Sequence, residues 1–242
     1  MNDVPAPVTA GPAPWRALPM AEGAAEDLLD DGVALLDGLA DDPTPTLRWY
    51  RATGPALVLG RGQQRSLVRD DSFPVVTRFS GGGAVWMDAG LLCLDVLVPT
   101  GHPLLDGDLA MPFLHIGRAW EDALRRLGLD DVATHEGPAT TPRKTDERTR
   151  LLAAVCYATL GRGEVTVAGR KIVGLSQRRR RPGALIQCGL LQRWRPGPLL
   201  RALGADPDDA EITRAAVGLD DLAAHPPSDD EIRAAVEAAF QG

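Results

Sequence analysis

The chain has 242 residues, 44% of them hydrophobic and 24% charged, and a net charge of −7. An acidic balance argues against nucleic acid as the main partner, because phosphate contacts need a basic face. No apolar run approaches the ~20 residues that span a bilayer, the first residues lack the cationic and apolar regions of a secretory leader, and three cysteines are too few and wrongly spaced for a disulfide framework or a zinc site, so a cytoplasmic protein without membrane contact or bound metal is expected.

In chain order, residues 1–14 carry four prolines and no periodicity. They open a predicted flexible tail over 1–20, with 21–242 predicted as one domain. Leu28, Leu29, Leu35, Leu36 and Leu39 recur at helical spacing. Strand-like runs follow at 47–51 and 56–59, the second closed by Gly60-Arg61-Gly62-Gln63, and then at 75–78, 84–87 and 91–98. Ile116, Trp120, Leu124 and Leu127 mark a helix after Pro112 that ends at Gly128. Further strands are predicted around Val155 and Lys171. The last helix opens on a capping box, Ser228 with Glu231, and buries Ile232, Val236 and Phe240. Strands joined by short turns with helices outside predict an α+β domain, a largely antiparallel mixed sheet flanked by helices.

Lys171 stands out because only two of the 26 basic residues are lysines. An ammonium is a compact point charge with rotatable donors, whereas a guanidinium is a flat fork. Lys144 lies in a polar run, but Lys171 sits between glycines and apolar residues, beyond a strand and a tight turn at Gly169. That placement suits the holding of one oxygen in a confined space. Ser80-Gly81-Gly82-Gly83 lies between two strands and lacks the pattern of a P-loop or a dinucleotide fingerprint. Its glycines allow close backbone approach to a ligand, and Arg78 adds a cation for an anionic or strongly polar group. Gln187-Cys188-Gly189 reads as a third glycine turn.

Four blocks carry a family resemblance. Residues 78–88, from Arg78 through Ser80, Gly81, Gly82, Gly83 and Ala84 to Asp88, resemble the Arg-x-Ser-Gly-Gly-Gly-Ala-Val-x-His-Asp segment of lipoate–protein ligases. Leu59-Gly60-Arg61-Gly62-Gln63 resembles that family's Ile-Gly-Arg-x-Gln turn. Residues 169–178 resemble the segment that holds its reactive lysine, and 184–191 its Leu-x-His-Gly-x-Leu segment. The order is the family's, and together the blocks indicate the biotin/lipoate ligase-like superfamily.

The resemblance implies that fold and acyl transfer to the lysine of a lipoyl carrier domain, in oxoacid dehydrogenases or the glycine-cleavage protein. In its ligase form, lipoate or octanoate is activated as an acyl-adenylate, with ATP and Mg²⁺ as cosubstrates and no tightly bound cofactor. Arg61, Arg78, Ser80, Gly81, Gly82, Gly83, Ala84, Gly174 and Gly189 then line the substrate, and Lys171 contacts the acyl carbonyl and the α-phosphate. The chain departs from the pattern at Thr77, Met87 and Cys188, where the family has polar residues, and the 51 residues after Leu191 leave no room for an accessory lid domain. Cys156, fifteen residues before Lys171, resembles the Cys-Phe placement of octanoyltransferases in the same superfamily. That resemblance implies a second chemistry, in which Cys156 takes the acyl group from acyl carrier protein as a thioester. A cation beside a thiol favours the nucleophilic thiolate. A binding subunit without catalysis is a third reading. Arg178-Arg179-Arg180-Arg181 reads as a solvated turn that attracts an acidic carrier, and His135-Glu136 as a plain loop.

Overall fold

The computed structural model describes residues 14–241. Ten strands form: β1 (Arg16–Gly23), β2 (Thr46–Ala52), β3 (Ala56–Leu59), β4 (Val75–Thr77), β5 (Val85–Met87), β6 (Leu91–Pro99), β7 (Val132–Thr134), β8 (Val165–Val167), β9 (Arg170–Arg180) and β10 (Gly183–Leu191). Seven of them make one sheet in the order β1-β2-β6-β10-β9-β8-β7, and β4-β3-β5 make a second. Within the large sheet only β1 and β2 pair in parallel. The architecture is thus the predicted mixed, largely antiparallel sheet; the separate three-stranded sheet was not legible from the pattern.

Helices α1 (Ala25–Gly38), α2 (Met111–Arg126), α3 (Glu147–Ala154), α4 (Gly197–Ala202), α5 (Ala210–Ala215) and α6 (Asp229–Gln241) cover the sheets. On one face α2 presents Ile116, Trp120 and Leu124, α6 presents Ile232 and Val236, and both pack on Trp49, Leu92, Leu94 and Ile186 of the large sheet. Trp49 and Trp120 meet edge to face at 5.7 Å, a preferred geometry for paired rings. The opposite face packs Tyr50, Leu91 and Cys93 against Leu28 and Leu29 of α1, the small sheet and Tyr157. β6 is the hub: all nine of its residues are buried, Asp95 among them. Among the described residues no helix is long and apolar enough to cross a membrane.

The capping box at Ser228 forms, with its backbone N–H on the Glu231 carboxylate at 2.8 Å. Four expectations need correction. The tail predicted over 1–20 ends sooner, since β1 begins at Arg16 and pairs with β2; residues 1–13 lie outside the described residues. Val155 follows a helix, not a strand. Asp146 accepts the Thr149 N–H, and the Thr149 side chain answers on the Asp146 N–H, so this polar run starts α3. Gln187-Cys188-Gly189 lies inside β10, where Gly189 pairs with Gly174 of β9. Arg178, Arg179 and Arg180 extend β9, leaving the turn to Arg181 and Pro182.

Candidate acyl-transfer site

Three segments converge on one face of the large sheet. The first is the β8–β9 hairpin, turned by Ala168 and Gly169, both at positive φ. Two such residues make the tight turn whose twist suits a hairpin, and it brings Lys171 opposite Thr166. The second is the end of α3: Val155 bridges to Ala84, and Cys156, Tyr157 and Ala158 form a 3-10 turn. The third is the glycine-rich loop between β4 and β5. Ala84 donates its N–H to the Ala154 carbonyl at 2.6 Å and accepts the Cys156 N–H at 3.0 Å, which joins loop and turn. A Cβ at Gly83 would lie 2.6 Å from the Cys156 nitrogen. The absence of a side chain there is what lets the loop lie against the cysteine turn.

Lys171 is almost fully buried, at 1% exposure. Its Nζ lies 2.7 Å from Glu164 Oε2, 2.9 Å from the Cys156 carbonyl oxygen and 3.1 Å from that of Thr159. Cys156 Sγ is 3.9 Å away, and the Tyr157 ring centroid 5.0 Å. Tyr157 fills a hollow that two glycines leave in the sheet. A Cβ at Gly189 would stand 2.8 Å from its hydroxyl, and one at Gly174 would stand 3.3 Å from it. The hydroxyl donates to the Gly189 carbonyl at 2.7 Å.

Beside these groups opens a narrow slot with a cavity volume of about 60 Å³. Cys156, Tyr157, Met87, Cys93, Cys188 and Leu29 give it an apolar wall. The thiols of Cys93 and Cys188 are desolvated: burial raises Cys188 to about 12 and Cys93 higher still. Cys156 is half-buried at the wall, so among the three cysteines it alone combines access with a neighbouring ammonium. At the polar end Ser80 donates to Gln187 Oε1 at 2.6 Å, with Ser176 Oγ 3.0 Å away.

The residues singled out from sequence therefore divide. Cys156, Arg78, Gly174 and Gly189 line the slot, and Ser80 reaches its polar end. Lys171 lies behind Cys156 and Tyr157, with oxygens of the protein around it where a substrate carbonyl was expected. The Arg78 guanidinium also faces inward, donating to the Gly81 carbonyl at 2.7 Å and that of Gly83 at 2.9 Å. It braces the loop. Gly81 and Gly82 border a second, open cleft with Leu109, Phe113, Ser176 and Gln177. Arg61 is exposed on its turn and contributes a backbone N–H to the Ser80 carbonyl. His135 and Glu136 form the expected loop, bound to the Pro138 carbonyl and to Arg118. Glu164 and Tyr157 were missed. The signal for Glu164 was one carboxylate at the head of the β-branched run Val165-Thr166-Val167.

Residues 33–241 match the family model described as the lipoyl protein ligase A/B catalytic domain. The octanoyltransferase LipM of an Exiguobacterium species is 31% identical over 210 residues, 81% of this chain and 74% of that protein. The octanoyltransferase LipM of Carboxydothermus hydrogenoformans is 30% identical over 173 residues, 69% of this chain, and the match spans only 60% of that protein's length. Among solved structures, the bi-partite lipoate protein ligase with its E2 lipoyl domain from Thermoplasma acidophilum superposes with a TM-score of 0.66 at 22% identity, covering 94% of this chain and 82% of that one. That likeness concerns the fold. The chain belongs to the lipoyl protein ligase A/B catalytic domain family.

Proposed function

We propose that this member of the lipoyl protein ligase A/B family transfers an octanoyl group from a thioester donor to the lysine of a lipoyl carrier domain, through Cys156. The observation that carries the reading is the half-exposed Cys156 thiol at the wall of an apolar slot, 3.9 Å from a buried ammonium. The names of its sequence relatives, octanoyltransferases, support the same chemistry.

In the first half-reaction the Cys156 thiolate attacks the thioester carbonyl of acyl carrier protein. The new C–S bond forms, the donor's C–S bond breaks, and the donor thiolate leaves and takes up a proton. In the second, the neutral amine of the carrier lysine attacks the acyl-cysteine. A C–N bond forms, the Cys156 C–S bond breaks, and the amine proton returns to the sulfur. The aliphatic chain lies against Met87, Cys93, Cys188 and Leu29, where burial of each methylene contributes about 0.8 kcal/mol. The missing polar groups at Met87 and Cys188 thus become part of an apolar wall.

A ligase reading through an acyl-adenylate, with ATP and Mg²⁺, is second. The open cleft along the Gly81 and Gly82 backbone favours it. Against it, the two cations that would face the adenylate, Arg78 and Lys171, are engaged by protein oxygens. The intact mass of an apo-lipoyl domain separates the two. We expect an octanoyl mass shift with octanoyl-acyl carrier protein and no ATP, and its loss by at least roughly 10³-fold in Cys156→Ser. A lipoyl shift that needs lipoate and Mg²⁺-ATP, survives Cys156→Ser and disappears in Lys171→Ala would replace this reading with the ligase. Binding of the lipoyl domain with no shift under either condition would indicate a binding subunit.

A further inference from the structure

Glu164 is fully engaged, and its contacts join the segment after Cys156 to the strand that carries Lys171. Its carboxylate is buried, at 5% exposure. Oε2 accepts the Gly161 N–H at 2.6 Å and lies 2.7 Å from Lys171 Nζ; Oε1 accepts the Leu175 N–H at 3.1 Å. Gly161 closes the segment that carries Cys156, and Leu175 belongs to β9, which carries Lys171. The carboxylate therefore ties the two chain segments whose side chains meet at the sulfur. The Cys156 and Thr159 carbonyls take up other sides of the ammonium. These leave Lys171 facing Sγ from within the protein, with no part in the slot wall.

We infer that Glu164 is a positioning residue for the nucleophile: it holds the Lys171 side chain in place behind Cys156, so that Cys156, Lys171 and Glu164 act as one unit. The inference rests on the thioester reading but concerns only the first event, formation of a reactive thiolate. A buried ammonium without a counter-ion is costly and tends to lose its proton. A neutral amine no longer favours the thiolate. An uncompensated cation that kept its proton would have the opposite effect on the sulfur, so the sign of the change is diagnostic. The desolvated Cys93 and Cys188 do not compete for a thiol reagent.

The test is the pH profile of carboxamidomethylation by iodoacetamide, followed as intact mass on the whole chain, with no acyl donor or acceptor. In Glu164→Gln we expect the Cys156 rate at pH 7 to fall roughly tenfold and the profile to move to higher pH, as in Lys171→Met. Glu164→Asp, which keeps the charge, should restore most of the wild-type profile, which a merely turn-closing side chain would not require. The double variant Glu164→Gln/Lys171→Met removes both buried charges and guards against a misfolded single variant; its profile should equal that of Lys171→Met alone. A wild-type profile in Glu164→Gln, or in the folded double variant, would overturn the inference, as would a shift to lower pH. Octanoyl transfer is scored separately, so a thiol that responds as expected in a protein that transfers nothing would reject the thioester reading and leave the positioning role standing.

Discussion

Lys171 with Glu164 and Arg48 with Asp95 are both ion pairs inside the large sheet, at 2.7 Å and 3.0 Å. Each cation also lies over a tyrosine of the slot wall, Lys171 at 5.0 Å from the Tyr157 centroid and Arg48 at 4.8 Å from that of Tyr50. What separates them is the remaining surroundings. Arg48 donates to the Leu28 carbonyl at 2.8 Å and to Asp31 at 3.1 Å as well as to Asp95, so its fork joins α1 to β2 and β6. Gly32 makes room for this, since a Cβ there would stand 2.6 Å from Asp95 Oδ2. Lys171 is likewise held by a carboxylate and two carbonyls, but it also has the Cys156 sulfur 3.9 Å away. A rigid fork with several acceptors is suited to a tie, and a compact charge to a reactive atom. Two pairs of the same chemical type thus serve packing in one case and, on the proposed function, reactivity in the other.

The largest effect should come from breaking the tie. Arg48→Met leaves Asp95 as a buried, unpaired carboxylate, and we expect a loss of about 3–5 kcal/mol in unfolding free energy. Arg48→Met/Asp95→Leu, with both charges removed, should recover most of it. Urea midpoints of the two variants check this; equal losses in both would mean that shape, not the pair, holds α1 in place. Next comes Lys171→Arg. Charge is kept, but a planar fork does not fit among Glu164, the two carbonyls and Tyr157, so octanoyl transfer should fall on the order of 10²-fold or more. A variant as active as the wild type would show that only the sign of the charge matters at Cys156.

Gly83→Ala tests the same contrast from the loop side. The added Cβ would meet backbone at Cys156, Ala154 and Val155, all under 3.0 Å, and backbone cannot rotate away as a flexible side chain can. Cys156 should move relative to Lys171, lowering transfer roughly 10²-fold, with a smaller loss of stability of about 1–3 kcal/mol. Activity and urea midpoint measured on one preparation separate the two effects. A third glycine at this point resembles the ligase pattern, yet in the structure it is what a close approach of loop to cysteine turn requires.

That residue marks the boundary between what local sequence pattern specifies and what only the folded chain brings together. Helices α1, α2 and α6 and most strands were legible because their apolar residues repeat at 3.6 or 2. The glycine loops after β3 and β4 were legible as loops, whereas Gln187-Cys188-Gly189 proved to be strand. The partners of these glycines were not legible: Gly83 opposes Cys156 across 73 positions in the chain, and Gly174 and Gly189 are joined by strand pairing and by the ring of Tyr157. Arg78 stands out in the sequence as a cation beside the glycine loop, but its direction is not readable there, because whether a guanidinium points to a ligand or to its own loop depends on where that loop folds. Helix α3 was hidden in a polar run whose start is a local hydrogen-bond device and not an apolar pattern. Glu164 was hidden for the opposite reason: nothing in an isolated carboxylate announces that its counter-ion is seven residues further along a hairpin.

The smallest effect concerns Asp95. Burial raises its carboxyl to about 6, against the pull of Arg48, whereas the unfolded chain has it near 3.9. The folded state therefore holds this proton more tightly. Its contribution to stability is complete below about pH 4 and is lost as pH rises through about 6. A two-unit difference corresponds to at most roughly 2–3 kcal/mol. Asp95→Asn keeps an acceptor for Arg48 and removes the titration, so the difference in stability between wild type and variant should change in favour of the variant from pH 4 to 6 and then level off. Unfolding by urea at intervals across that range measures the slope. A difference that stays flat would mean that Asp95 does not titrate across this range, so that burial and the Arg48 charge offset each other and the pair stays ionised throughout.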